Sequence, residues 1–294
     1  MNQPKKETKV TRGIAFMIIA VTFFNLKDGI AKHLSATYPI IELVFFQYII
    51  MLVIILPIVV FQGGWHSLAT KHPYSLLLRG TIGVVAVGLL FAAVSQIPIA
   101  DAYAISFISP IVVTILSPFL LGENVGIRRW FAVATGFGGV LLVIQPGFEE
   151  FQTGSLVAIS AGVMFGLYGI VTRKLTQQEL PRIMMLYTSF VGVIGVSAFL
   201  PTIWVTPQLV HGGIIVAMGV LATVGHAFMV YSYAAAPAVV VTPFLYTSMI
   251  AATIQGYFIF GDFPNFIAWI GISTIIACGI YTTLREAKQN PSTH

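Results

Sequence analysis

The sequence predicts an all-α integral membrane protein: ten transmembrane helices forming two inverted five-helix repeats, with both termini cytoplasmic. Three observations point there: a run of ten apolar segments, an alternating placement of positive charge, and a weak internal repeat. With 57% hydrophobic and 9% charged residues in 294, the chain has more apolar surface than a soluble core of this size can hide. Lipid must cover part of it.

Spanning a bilayer takes about 20 predominantly apolar residues. Such segments lie near 13–33, 39–61, 75–95, 100–121, 127–145, 153–173, 183–203, 213–234, 239–260 and 264–284. The first follows a basic tail without a small-residue cleavage site, so it reads as a retained span. The organisation expected is a tail over 1–12, a first repeat over 13–147, a second over 153–284 and a tail over 285–294. Connections this short leave no room for a soluble catalytic domain.

Fifteen Lys and Arg give a net charge of +5 and a pI near 9.3. They flank helices instead of forming one stripe, so topology accounts for them without nucleic acid. With the N-terminus inside, the cytoplasmic segments hold Lys5, Lys6, Lys9, Arg12, Lys71, Arg79, Arg128, Arg129, Arg173, Lys174, Arg182, Arg285 and Lys288. Lys32 lies outside, and Lys27 falls within segment 1. The single cysteine, Cys278, excludes an internal disulfide and any cysteine metal cluster.

A shift of 139 residues places Gly80 on Gly219, Pro98 on Pro237, Thr114 on Thr253, Gly122 on Gly261, Glu123 on Asp262, Trp130 on Trp269 and Thr135 on Thr274. A shift of 141 aligns the first spans, with Gly13 on Gly154, Phe24 on Phe165, Leu26 on Leu167, Lys32 on Arg173 and Leu34 on Leu175. An odd number of spans per copy inverts the second copy, an arrangement found in secondary transporters.

Arg79-Gly80 opening segment 3, Ile-Pro-Ile-Ala-Asp-Ala-Tyr-Ala at 97–104, Ser109-Pro110, Leu121-Gly122-Glu123 before Arg128-Arg129-Trp130, and Gly136-Phe-Gly-Gly139 form a recognisable set. In these stretches the chain resembles the drug/metabolite transporter superfamily, in its ten-helix EamA-type branch. The resemblance spans nearly the whole length. It implies a central cavity bounded by segments 1, 3, 4, 6, 8 and 9, and a bacterial-type inner membrane. The pattern departs at Met249, which stands where Pro110 has its partner, while Pro243 comes earlier.

Candidate substrate-binding residues are those that are costly in lipid or that line the implied cavity. Asn25, Lys27 and Asp28 interrupt segment 1, where a charge costs about 2.5 to 3.5 kcal/mol on insertion scales. Asp28 lies four residues before Lys32, a spacing that suits a helix ion pair, and Lys27 or Asp28 could equally line the cargo route. Ser106, Ser109, Pro110, Thr114 and Ser117 form a polar stripe on segment 4. Tyr103, Ser106, Phe107, Tyr168, Thr242 and Tyr246 would wall the pocket, and His226 in segment 8 would hydrogen-bond a neighbouring helix or the cargo. Pro110, Pro118 and Pro243 would permit bending. Glu42, near the outer interface, is expected to be hydrated. Ala132 with Gly136, or Ala134 with Gly138, would let segment 5 approach segment 10 or form a homodimer contact.

No Gly-Lys nucleotide motif, His-Glu-x-x-His or Gly-x-Ser-x-Gly elbow is present. No enzyme activity, catalytic residue, metal or cofactor is therefore expected. The partners are a small-molecule substrate and membrane lipids. The function expected is secondary export of small amphipathic metabolites, foremost amino acids with aromatic or apolar side chains. The alternatives are import or exchange of a vitamin or nucleoside-like cofactor such as riboflavin or S-adenosylmethionine, and multidrug export.

Overall fold

The computed structural model describes residues 6–97, 99–145, 153–255 and 265–289. Within them the chain is helical, without strands. The helices are α1 (Lys6–Leu34), α2 (Ile40–Gly63), α3 (Pro73–Val94), α4 (Ile99–Ser106), α5 (Ser109–Leu120) and α6 (Ile127–Ile144), followed by α7 (Thr153–Leu175), α8 (Pro181–Ser197), α9 (Leu209–Ala235), α10 (Ala238–Val241), α11 (Thr247–Gln255) and α12 (Phe266–Gln289). Among the described residues nine helices are long and apolar enough to span, and a shorter apolar stretch, Ala238–Ala251, occupies segment 9.

Segments 4 and 9 are the broken ones. The break in segment 4 falls at Phe107 and Ile108, so Pro110 sits in the first turn of α5, where its missing N–H costs nothing. Pro118 lies in the last turn of the same helix. In segment 9, Pro243 opens a 3₁₀ stretch, Thr242–Tyr246, between α10 and α11. Each half thus carries one interrupted span, although the prolines differ in register.

Segment 1 packs on segment 8, 3 on 6, 2 on 7 and 5 on 10, while segment 4 packs on 6 and segment 9 on 1. Exchanging the first five segments with the last five leaves this pairing unchanged. Glycines matched by the sequence register do matching jobs. A Cβ on Gly80 would lie 2.9 Å from Val191 Cβ in segment 7, and one on Gly219 would lie 2.5 Å from Ile50 Cδ1 in segment 2. Likewise Gly13 meets Ala236 at the end of segment 8, and Gly154 meets Ile97 at the end of segment 3. Gly261 and Asp262 lie outside the described residues, as does Pro98.

Segments 5 and 10 do approach closely, but at a different glycine pair from those the spacing suggested. A Cβ on Gly271 would lie 2.6 Å from the Gly139 carbonyl oxygen, whereas Gly138 faces open space and Gly136 receives the Tyr246 ring. Helix rotation decides which small residue meets a partner. Another correction concerns Glu42, which is buried instead of hydrated, with Oε2 accepting the Val205 N–H at 3.0 Å.

The tightest glycine contact is at Gly192, where a Cβ would lie 2.4 to 2.6 Å from three ring carbons of Tyr48. Gly192→Ala is expected to destabilise the protein by about 1–3 kcal/mol, the usual cost of overpacking. Thermal unfolding in detergent reads this directly, and an unchanged midpoint would contradict the packing described.

Candidate functional site

Arg79 is the least expected side chain in the interior. Sequence position grouped it with the interfacial cations, but the structure buries it completely, seven residues into α3. Its Nε donates to Thr172 Oγ1 at 2.8 Å and its Nη2 to the Tyr168 hydroxyl at 2.7 Å. Nη1 donates to the Met184 carbonyl at 3.1 Å and to Thr188 Oγ1. Every acceptor is neutral. The ion pairs among the described residues, Lys27–Asp28 and Arg173–Glu123, do not include it.

Glycines bring three tyrosines around this cation. A Cβ on Gly83, one turn after Arg79, would lie 3.0 Å from the Tyr168 ring, so only glycine lets the ring lie flat against α3. The guanidinium carbon stands 4.6 Å from the centre of that ring, a cation–π distance. Tyr48 lies on Gly192 and the Tyr233 hydroxyl on Gly169, and both tyrosines are within electrostatic range of Arg79. Thr172 and Thr188 turn their own protons to the carbonyls of Tyr168 and Met184, at 2.6 and 2.9 Å, which leaves their oxygens free to accept from the guanidinium.

Several residues singled out from sequence converge near this cluster. Lys27 and Arg79 both lie within electrostatic range of His226, whose ring meets Phe24 edge-on at 5.2 Å. Asp28 lies within electrostatic range of Tyr103. Tyr103 exposes 39% of its surface. Lys27 Nζ is 2.5 Å from Asp28 Oδ1, so Asp28 pairs with its chain neighbour instead of with Lys32.

The other candidates are spent differently. Asn25 Nδ2 donates to Val21 O at 2.9 Å and Ser106 to Tyr103 O at 2.8 Å, each within its own helix, and Thr242 donates to Ala238 O at 2.5 Å across the end of α10. Phe107 and Tyr246 pack on each other at 6.1 Å, in the apolar cluster of α6 and α12. Tyr246 borders a narrow crevice between α6 and α12. It has room for about one water, not an organic solute.

At the end of the bundle nearest Gly13, one carboxylate ties four elements together. Glu123 Oε1 accepts from Arg173 Nε at 3.2 Å and from the Ala238 N–H at 3.0 Å, and Oε2 accepts from the Val239 N–H at 3.2 Å. Arg173 Nη1 in turn donates to the Tyr233 carbonyl at 2.7 Å, at the C-terminal end of α9. The carboxylate caps the N-terminus of α10, and the guanidinium caps the C-terminus of α9. The sequence marks Glu123 as part of the Leu121-Gly122-Glu123 motif and shows none of its partners, because they come from α7 and α10. Glu123→Ala is expected to cost about 1–3 kcal/mol by stranding Arg173 and two amides. Protection of the α9–α10 junction against cysteine labelling should fall with it, and equal labelling would contradict the latch.

The EamA-like transporter family matches the chain twice, over residues 11–145 and 152–285. An S-adenosylmethionine uptake transporter of Rickettsia prowazekii (strain Madrid E) is 24% identical over 282 residues, covering 96% of each chain. A riboflavin transporter of Vibrio cholerae is 27% identical, covering 95% of each, and the pseudopaline exporter CntI of Pseudomonas aeruginosa is 24% identical, covering 90% of this chain and 94% of its own. A crystal structure superposes with a TM-score of 0.79 over 96% of this chain and 99% of the other, at 17% identity, which shows the fold alone. With two family matches filling a bundle of apolar helices, the chain belongs to the EamA-like transporter family and is a multi-pass protein of the bacterial inner membrane.

Proposed function

We propose that this protein is a secondary transporter, not an enzyme, and that it carries a small organic metabolite by alternating access through the space bordered by α1, α3, α4, α7 and α9. The observation that carries this reading is a polar cluster inside the apolar bundle, with Asp28 within electrostatic range of Tyr103 and Lys27 paired with Asp28 and within range of His226. Segments 13–147 and 153–284 act in it as inverted repeats with the N-terminus cytoplasmic, and the interrupted spans α4–α5 and α10–α11 bend at Pro110, Pro118 and Pro243. Lys27, Asp28, Tyr103, Tyr168 and His226 form the core of the cargo site. Asn25, Ser106, Phe107, Thr242 and Tyr246 support its walls.

The relatives favour a cargo in the class of vitamins and nucleoside-containing cofactors, since similar proteins are transporters named for S-adenosylmethionine and riboflavin. Export of aromatic or apolar amino acids is the second reading. It rests on the tyrosine hydroxyls and ring faces of the interior, which suit an amphipathic solute.

The test is counterflow in proteoliposomes preloaded in turn with S-adenosylmethionine, riboflavin, phenylalanine or leucine. Saturable exchange of one class is expected, and Asp28→Asn should slow it about tenfold, as loss of one charged hydrogen bond does. Exchange of the amino acids alone would replace the favoured cargo by the second reading. Folded protein that exchanges none of the four would remove both cargo readings.

A further inference from the structure

A cation buried in low dielectric without a counter-charge is a costly arrangement, and proteins keep one where it has work to do. Arg79 uses four of its five N–H groups on neutral oxygens, and one on Nη2 has no acceptor among the described residues. The fold does not demand a charge at this position. The 139-residue register puts Met218 at the equivalent place in the second half, where it is 1% exposed and packs in an apolar cluster.

Of the side chains that accept hydrogen bonds from Arg79, Tyr168 is the least buried. Arg79, Thr172 and Thr188 are fully buried, whereas Tyr168 is 8% exposed. Its hydroxyl oxygen already accepts from Nη2, so what the hydroxyl has left to offer is its proton, which has no acceptor among the described residues. A phenol that receives a hydrogen bond from a guanidinium is a polarised donor. A donor in front of an uncompensated positive charge discriminates twice: it needs an acceptor atom, and it prefers an acceptor that carries negative charge.

We infer that Tyr168 and Arg79 form a recognition site for an anionic oxygen of the cargo, of the carboxylate class. Tyr168 donates its hydroxyl proton to that oxygen. Arg79 is a positioning residue that acts through Tyr168, holding the phenol and supplying the charge. Neutral cargo atoms gain only the hydrogen bond, so the pair sets selectivity for carboxylate-bearing solutes. That the bound solute is cargo rests on the transport reading; anion recognition by the pair does not.

Benzoate and benzamide, which differ in charge on one matched ring, are the probes. Equilibrium binding and thermal stabilisation are measured on the full chain in lipid nanodiscs. Benzoate is expected to bind saturably and at least about tenfold more tightly than benzamide, the effect of a charge-assisted hydrogen bond. Tyr168→Phe keeps the ring and its stacking on Arg79 but removes the donor, so it should weaken benzoate more than benzamide and erase the preference. Arg79→Met, the side chain of the equivalent position, should also equalise the two probes, and Arg79→Lys should keep part of the preference. Equal binding by the unaltered protein, absence of benzoate binding, or a preference that survives in folded Tyr168→Phe would overturn the assignment. Failed counterflow with the benzoate preference intact would instead count against the transport reading alone.

Discussion

In hydrocarbon a helix closes its own backbone hydrogen bonds, and two helices gain little from hiding apolar surface that lipid covers equally well. What holds such helices together is close approach, and in this bundle close approach depends on glycine. Gly13, Gly80, Gly154 and Gly219 admit side chains from the opposite half, and Gly139 with Gly271 brings α6 and α12 to backbone contact. Because equivalent glycines in the two halves receive equivalent neighbours, the helix pairing is symmetric. The rest of the molecule, including the placement of its polar side chains, is built on that frame.

The same contacts position the chemistry. Tyr168, Tyr48 and Tyr233 each rest on a glycine of another helix; Tyr168 touches Arg79 and the other two lie within electrostatic range of it. The aromatic faces and hydroxyls replace water around a guanidinium that has no carboxylate partner. At the end nearest Gly13 a different solution appears, where Glu123 and Arg173 neutralise each other while capping the helix ends at the α9–α10 break. One cation is thus compensated and helps to hold a helix break together, and the other has only neutral acceptors among the described residues. The asymmetry between Arg79 and Met218 lies inside an otherwise symmetric frame, so it points to the solute more than to the scaffold.

Much of this was legible in the chain. Apolar length marked the nine long spans to within a few residues, since a hydrocarbon slab imposes the same requirement on each segment. The repeat register anticipated that Gly80 and Gly219 would act alike. Lys27, Asp28, Tyr103 and His226 announced themselves by the cost of polar groups in lipid, and the structure brings them into one neighbourhood. Arg79 did not, because an arginine six residues after Pro73 is also where an interfacial cation would stand. Its burial could have been suspected from the Leu76–Leu78 run before it and Gly80 after it.

The sequence by itself determined the solvent, the number of spans, the family and the presence of two related halves, because each follows from composition or from order along one dimension. The tertiary structure decided which face of each helix turns inward, and with it the fate of every ambiguous residue. Tyr246 and Phe107 pack on each other, Tyr168 lies against the Arg79 guanidinium, and Glu123 caps α10. A helix shows side chains on all sides, and the rotation that buries some of them is fixed by contacts between segments a hundred residues or more apart. No local pattern records those contacts.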